Sequence, residues 1–304
     1  MKIIVVGLGV QGLKRIKEVG DDLVFTVDPQ NKNANFSSVR EVPLELYDSA
    51  ILAVPDAPKY DLLIYLLNNS KHVLVEKPLM LPSVKNFFEL EELASKKKTF
   101  LYTAYNHRFE PNIKRAKTFL ENNHLGEIYA CNLYYGNGTA QLVKNSPWRD
   151  QNSGVLADLG SHLFDLIDFW FKAEKIESLK STLSRLENMS PDSAQLSFEM
   201  SNIQFNLGMT YCSWKNTFRC EIIGEKGSIQ ISSLCKWGDS EFVHLIRKLP
   251  SGKPLENRII EPVGDKTFKK EYEYFKKKSK MNFSVSLLKD RWIYSNIKKV
   301  YDEY

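Results

Sequence analysis

Ile3-Ile4-Val5-Val6-Gly7-Leu8-Gly9-Val10-Gln11-Gly12 is the stretch that decides the fold. Four apolar, β-branched residues read as a short buried strand, and the pattern from Val10 to Val19 reads as a helix. Between them lie three glycines with G-x-G-x-x-G spacing. The first permits a tight turn, the second lets the backbone approach a pyrophosphate, and the third allows close helix–strand packing. The helix N-terminus then faces phosphate charge. Glycines often merely punctuate turns, so the motif alone is weak. Between a strand and a helix it points to a dinucleotide held by Gly7, Gly9, Val10, Gln11 and Gly12.

Outward from this loop, β-branched runs alternate with helical patterns. Strands are expected at 23–27, 50–54, 72–75 and 99–104, and helices at about 59–68 and 83–96. That alternation predicts right-handed βαβ units and a parallel sheet, a Rossmann arrangement of α/β class. Asp28 ends the second strand. A carboxylate there accepts from an adenosine ribose 2′-OH and repels a 2′-phosphate. Its alternative role is a turn aspartate before Pro29. No arginine follows to receive a phosphate, so NAD is expected over NADP.

Beyond residue 105 the grammar changes. A helix (111–122), a strand (127–135), a loop and a long helix (153–171) precede strand candidates at 178–185, 194–200, 203–212, 217–224, 227–232 and 241–249. Such a succession predicts a large, mainly antiparallel open sheet. Helical segments at about 267–278 and 284–303 close the chain. Two domains are expected: a dinucleotide-binding domain over 1–105, and an α+β substrate-binding and oligomerisation domain over 106–304. The last helix is free to pack back on the first domain.

Composition excludes several classes. Of 304 residues, 43% are apolar and 26% charged, which rules out disorder, a coiled coil or a collagen-like fibre. No stretch reaches the roughly 18 apolar residues of a membrane helix. Residues 3–6 are too short for a signal peptide. Cys131, Cys212, Cys220 and Cys235 lack CxxC spacing, which indicates no zinc site or disulfide scaffold and fits a reducing, cytoplasmic setting. Net charge is 42 − 37 = +5, much of it in Lys266–Lys280, where Glu271 and Glu273 interrupt the basic residues. That run reads as a solvated helix face, and no nucleic-acid, membrane or metal partner is expected.

Two further places carry chemistry. Lys77 follows the fourth strand, and ligands of open α/β sheets lie beyond the carboxyl ends of strands. Val54, Pro55, Glu76 and Lys77 therefore join the expected cofactor set, although a Lys-Pro pair after a strand is more often a surface turn. Asp158 and His162 are four apart and share a helix face with Asp165, opposite the apolar stripe Leu163, Leu166, Ile167 and Trp170. Alone, such a pair is more often structural than catalytic. Arg108, Trp148 and Arg149 suit either a substrate pocket or ordinary salt bridges and packing. Tyr134 and Tyr135 are explained by a strand pattern, and His72, His107, His124 and His244 have no partner spacing.

Taken together, these blocks resemble the Gfo/Idh/MocA oxidoreductases, which act largely on sugars and polyols. The resemblance rests on Gly7–Gly12, Ile51–Pro55, Lys71–Leu79, Asn106–Phe109, Leu125–Ile128, Trp148-Arg149 and Gly154–Asp165. It implies a Rossmann domain followed by an open-sheet domain that often mediates oligomers. It also implies that Lys77 lies between nicotinamide and substrate, with Asp158 and His162 completing the catalytic group. The chain departs from the family in carrying Asp56-Ala57-Pro58-Lys59 where a histidine often follows the Val-Pro element. The glycines before the aspartate–histidine block are reduced to Gly154.

The expected activity is NAD-dependent hydride transfer at a CH–OH carbon of a sugar or sugar derivative, nucleotide-sugars included. His162 takes the hydroxyl proton, or Lys77 does so with His162 relaying it. The alternatives are an NAD-dependent glycosidase that oxidises its sugar transiently, and a non-catalytic NAD-sensing protein. An open sheet uncovered on one side further predicts an apolar interface built from alternating residues of 194–200 and 203–212, giving a homodimer or homotetramer.

Overall fold

A computed structural model describes residues 1–281 and 285–304. Contacts divide the chain into two units, one of Met1–Asn106 with Thr267–Ser295 and one of His107–Lys266 with Asn296–Tyr304.

The first unit holds strands β1 (Ile3–Val6), β2 (Leu23–Val27), β3 (Ser49–Leu52), β4 (His72–Glu76) and β5 (Leu101–Ala104), with helices α1 (Val10–Val19), α2 (Asp56–Asn68) and α3 (Val84–Lys96). The strands form a parallel sheet in the order β2-β1-β3-β4-β5. Both faces are covered, so its central strands carry apolar runs such as Ile3–Val6 and Val73–Val75. Ile4, Val6, Leu52 and Val75 pack toward α2 and α3 with Leu63, Leu66 and Phe87. Ile3, Val5, Ile51 and Leu74 form the opposite core. Between β2 and β3 the chain makes short 3₁₀ turns at Val39–Glu41 and Leu44–Leu46.

The second unit carries α4 (Pro111–Glu121), β6 (Ile128–Gly136), α5 (Ala140–Lys144), α6 (Ser161–Phe171) and β7–β13. These last strands are β7 (Glu177–Ser184), β8 (Ser193–Met200), β9 (Ile203–Thr210), β10 (Thr217–Gly224), β11 (Gly227–Ser232), β12 (Ser240–Ile246) and β13 (Leu255–Glu261). The sheet order is β13-β12-β11-β10-β6-β9-β8-β7, antiparallel except where β6 meets β9. The chain then returns to the first unit with α7 (Thr267–Lys278), and α8 (Leu288–Asp302) follows. The predicted start of α8 at 284 lies outside the described residues.

Two expectations need correction. The helix predicted from 153 begins later, as a π-helical turn over Leu156–Gly160 that leads into α6. Gly154 has φ +46°, which a right-handed helix cannot contain, and a Cβ there would lie 2.3 Å from the Pro191 carbonyl oxygen. The apolar alternates of β8 and β9 are also not open for a partner. Phe198 stacks on Phe164 of α6, and Phe205 meets Phe171. The uncovered face is polar, with Asn132, Lys180, Gln195, Asn206, Arg219 and Glu221 lining a concavity of about 680 Å³. Strand alternation sends each apolar set to the helix-covered side.

Candidate active site

In the first unit the glycine loop lies at the carboxyl end of β1. Gly12 must be glycine, since a Cβ there would sit 1.8 Å from the Gly7 carbonyl oxygen. A Cβ on Gly9 would meet nothing within 4 Å, and no side chain caps α1. The loop thus leaves open space in front of unsatisfied helix N–H groups, which fits a pyrophosphate. Asp28 reaches back to this loop. Its Oδ2 accepts from the Leu8 N–H at 2.7 Å, and its Oδ1 accepts from the Gln30 and Asn31 N–H groups at 2.8 and 2.9 Å. Desolvation opposes its ionisation, but these three donors outweigh it and hold the carboxyl below the usual aspartate range. Asp28 is therefore a loop-fixing residue as well as a candidate ribose acceptor, and its oxygens keep lone pairs for a hydroxyl.

At the end of β4 the Glu76 carboxylate accepts from Arg15 Nε of α1 at 2.6 Å. Arg15 Nη1 also donates to Glu271 of α7 at 2.6 Å, and the guanidinium lies 4.4 Å from the Phe268 ring centre. Arg15 and Glu271 are buried. Burial disfavours the Arg15 charge, yet the two carboxylates outweigh it and raise its pKa. Lys77 follows Glu76 directly, at the carboxyl end of the strand. The sequence reading missed Arg15, whose only signal was its place in the nucleotide-binding helix, and Lys59, whose Nζ donates to the Pro78 carbonyl oxygen.

The second unit gathers an aromatic, basic cluster around His162. The His107 ring stacks on His162 with centroids 3.9 Å apart, and the Tyr135 ring lies 5.4 and 5.9 Å from the two. All three are buried. Lys236 Nζ sits 3.1 Å from His107 Nε2 and donates to the Tyr135 hydroxyl at 3.3 Å. Burial, with the Asp158 charge adding to it, pushes the Tyr135 hydroxyl far up, so it stays protonated. Asp158 lies in the π-helical turn, and its Oδ2 accepts from Arg149 at 3.3 Å and from Tyr211 at 3.2 Å. A π-helical turn re-aims side chains and recurs at functional sites.

The substrate candidates separate. Arg108 donates to Asp165 Oδ2 at 2.7 Å and to Asp168 Oδ2 at 2.6 Å, which ties α6 to the segment ahead of α4. Asp165 is fully buried, and Trp148 is 58% exposed. Arg149 bonds to Asp158 of the expected catalytic set. His107, Tyr135 and Lys236 enter the site although spacing marked none of them. For His107 the signal lay in the Asn106-His107-Arg108-Phe109 block. For Lys236, in a turn after β11, there was none.

A family model described as an oxidoreductase family with an NAD-binding Rossmann fold matches residues 1–105, and one for a GFO/IDH/MocA C-terminal domain matches 113–230. The chain is 25% identical over 227 residues to glucose-6-phosphate 3-dehydrogenase of Bacillus subtilis (strain 168), which covers 67% of this chain and 64% of that enzyme. It thus spans slightly less than two thirds of that relative's length. An oxidoreductase of Desulfitobacterium hafniense DCB-2, described as NADPH-dependent, superposes with TM-score 0.85 at 15% identity over 100% of this chain and 96% of its own. Levoglucosan dehydrogenase in complex with NADH gives TM-score 0.81 at 17% identity, over 100% and 96%. At these identities the solved structures speak for the fold alone.

Proposed function

This chain belongs to the GFO/IDH/MocA oxidoreductase family and has an NAD-binding Rossmann domain; from that premise we propose that it is an NAD-dependent dehydrogenase of sugar or polyol CH–OH groups. The observation that carries this reading is the placement of Lys77 at the carboxyl end of β4, directly after a glutamate clamped by the nucleotide-binding helix. Ligands of open α/β sheets lie beyond that edge.

Bound NAD supplies the hydride acceptor and donor. Lys77 donates a hydrogen bond to the substrate oxygen and stabilises negative charge as the hydroxyl proton leaves. His162, with the His107 and Tyr135 rings packed against it, takes that proton, directly or through Lys77. Asp158, with Arg149 and Tyr211 on its carboxylate, sets the charge beside the pair. Asp28 favours NAD over NADP by repelling a 2′-phosphate. The names of the relatives, a sugar-phosphate dehydrogenase and a levoglucosan dehydrogenase, support a sugar-type substrate. The polar open sheet is proposed as the surface through which copies of the chain assemble.

The test is a panel of free sugars, sugar phosphates, inositols and nucleotide-sugars, incubated with NAD and followed by NADH absorbance. Stoichiometric NADH with at least one of them is expected. Sugar cleavage without NADH accumulation points instead to a transiently oxidising glycosidase, and NAD binding with no chemistry on any of them overturns the reading.

A further inference from the structure

Lys59, in the first turns of α2, is buried, with only 2% of its surface exposed. Its Nζ donates to Asp56 Oδ1 and to the Pro78 carbonyl oxygen, each at 2.7 Å. Burial of an ammonium is costly unless it is paired and hydrogen-bonded. Desolvation pushes its pKa down, while the Asp56 carboxylate and then Glu76 act in the opposite sense and Lys77 adds to the lowering.

The position of the second acceptor is informative. Pro78 is the residue after Lys77, and Glu76, the residue before it, is held by Arg15. The residues flanking Lys77 are thus each tied to a buried cation from a different helix, Glu76 through its carboxylate to Arg15 of α1 and Pro78 through its carbonyl oxygen to Lys59 of α2. A side chain that must deliver a proton donor within a fraction of an ångström needs a fixed root, since a misplacement of about 1 Å can cost on the order of a hundredfold in rate.

We propose that Lys59 is a positioning residue for Lys77, fixing through the Pro78 carbonyl the backbone from which the Lys77 side chain projects. The proposal rests on the reading of Lys77 as the residue that contacts substrate, and its test separates the two.

Lys77 reactivity is read without substrate, by trace acetic anhydride acetylation of the NAD-bound protein. Mass spectrometry quantifies Lys77 against the exposed Lys253. In Lys59→Met the relative rate at Lys77 changes by roughly threefold or more, because a bond and a neighbouring charge are lost together. Lys59→Arg, which keeps donor and charge, restores it. On the best substrate of the panel, Lys59→Met lowers kcat roughly 10- to 100-fold while NAD affinity stays within about threefold. Unchanged Lys77 acetylation with wild-type turnover overturns the proposal, and so does loss of NAD binding in step with turnover. If Lys59→Met does not fold, Lys59→Gln is measured against the same outcomes, its shorter amide being unable to span both acceptors. Lys77→Met is run alongside. Wild-type turnover there defeats the reading of Lys77, whereas a dead Lys77→Met beside a fully active Lys59→Met defeats only the role of Lys59.

Discussion

His107 and His162 lie face to face, ring centroids 3.9 Å apart and planes within 17° of parallel. An ammonium has no acceptor, so Lys236 beside His107 Nε2 must donate, and that nitrogen must keep its lone pair. With Nε2 as the acceptor, His107 is the Nδ1–H tautomer. That arrangement leaves His162 as the ring proposed to take the substrate's proton. Lys236→Met should lower kcat by about tenfold, within the range of an acid–base effect. His107→Phe, which keeps an aromatic face, should cost less than His162→Asn. Steady-state kinetics of the three variants check this order, and a fully active Lys236→Met would remove the tautomer argument.

Lys77→Met and His162→Asn should each lower kcat by about 10²–10⁴-fold with NAD affinity little changed. Asp158→Asn should do less, because Arg149 and Tyr211 still hold the side chain in place. Single-turnover measurements with saturating NAD separate chemistry from binding. If His162→Asn retains wild-type turnover, the proton leaves by another group, with Lys77 next in line.

Asp28→Ala should narrow the preference for NAD over NADP, and it should also weaken NAD itself. The second effect follows from the Leu8 N–H bond, which ties the glycine loop to β2. Titration of both cofactors by tryptophan fluorescence reads the two effects separately. Tighter NADP than NAD binding by the unaltered chain would refute the assignment.

Stability should fall in acid through Asp22. Desolvation pulls this carboxyl up, but hydrogen bonds from Lys276 and Tyr272 of α7 outweigh it and bring it from 3.8 down to about 2. A carboxyl depressed by folding stabilises fully above its unfolded value and loses that contribution as pH drops from near 3.8 toward 2. Asp22→Asn should therefore melt lower than the unaltered chain at neutral pH, and the gap should close across that window. Melting temperatures measured by circular dichroism over a pH series would show parallel curves if the carboxylate contributes nothing.

The open sheet offers hydrogen-bonding groups, including the Asn206–Asn132 and Gln230–Glu221 side-chain bonds. If copies of the chain meet there, the interface is polar and wet. Light scattering should then give a dimer or tetramer that Asn206→Arg weakens. A monomer at micromolar concentration rejects the surface.

The parallel sheet was legible because strands covered on both faces read as apolar runs, as residues 3–6 and 73–75 do. The glycine loop was legible because steric need at Gly12 leaves a spacing. Strand β13 was not, since an exposed edge strand carrying Glu256, Arg258 and Glu261 has no buried face to create alternation. The π-helical turn escaped because a turn closed by i→i+5 bonds has the same composition as an ordinary one. Lys236 and Arg15 escaped for another reason: their partners lie far along the chain, as with Arg15 and Glu271, while the Pro78 acceptor of Lys59 lies in a different element from its helix. Spacing records neighbours along a helix or strand, and long-range pairing leaves no such trace.

The return of α7 also has a consequence for the order of events during synthesis. Residues 1–106 emerge from the ribosome first, yet the second carboxylate on Arg15 and the aromatic bed of Tyr272 and Phe275 arrive only with Thr267–Lys278. Until then the nascent nucleotide-binding layer has an uncovered apolar flank and a half-paired buried guanidinium. Folding in order of synthesis is therefore interrupted here, because this layer cannot finish before Thr267–Lys278 has been made. That interval is when chaperone contact and premature strand-edge pairing would matter most.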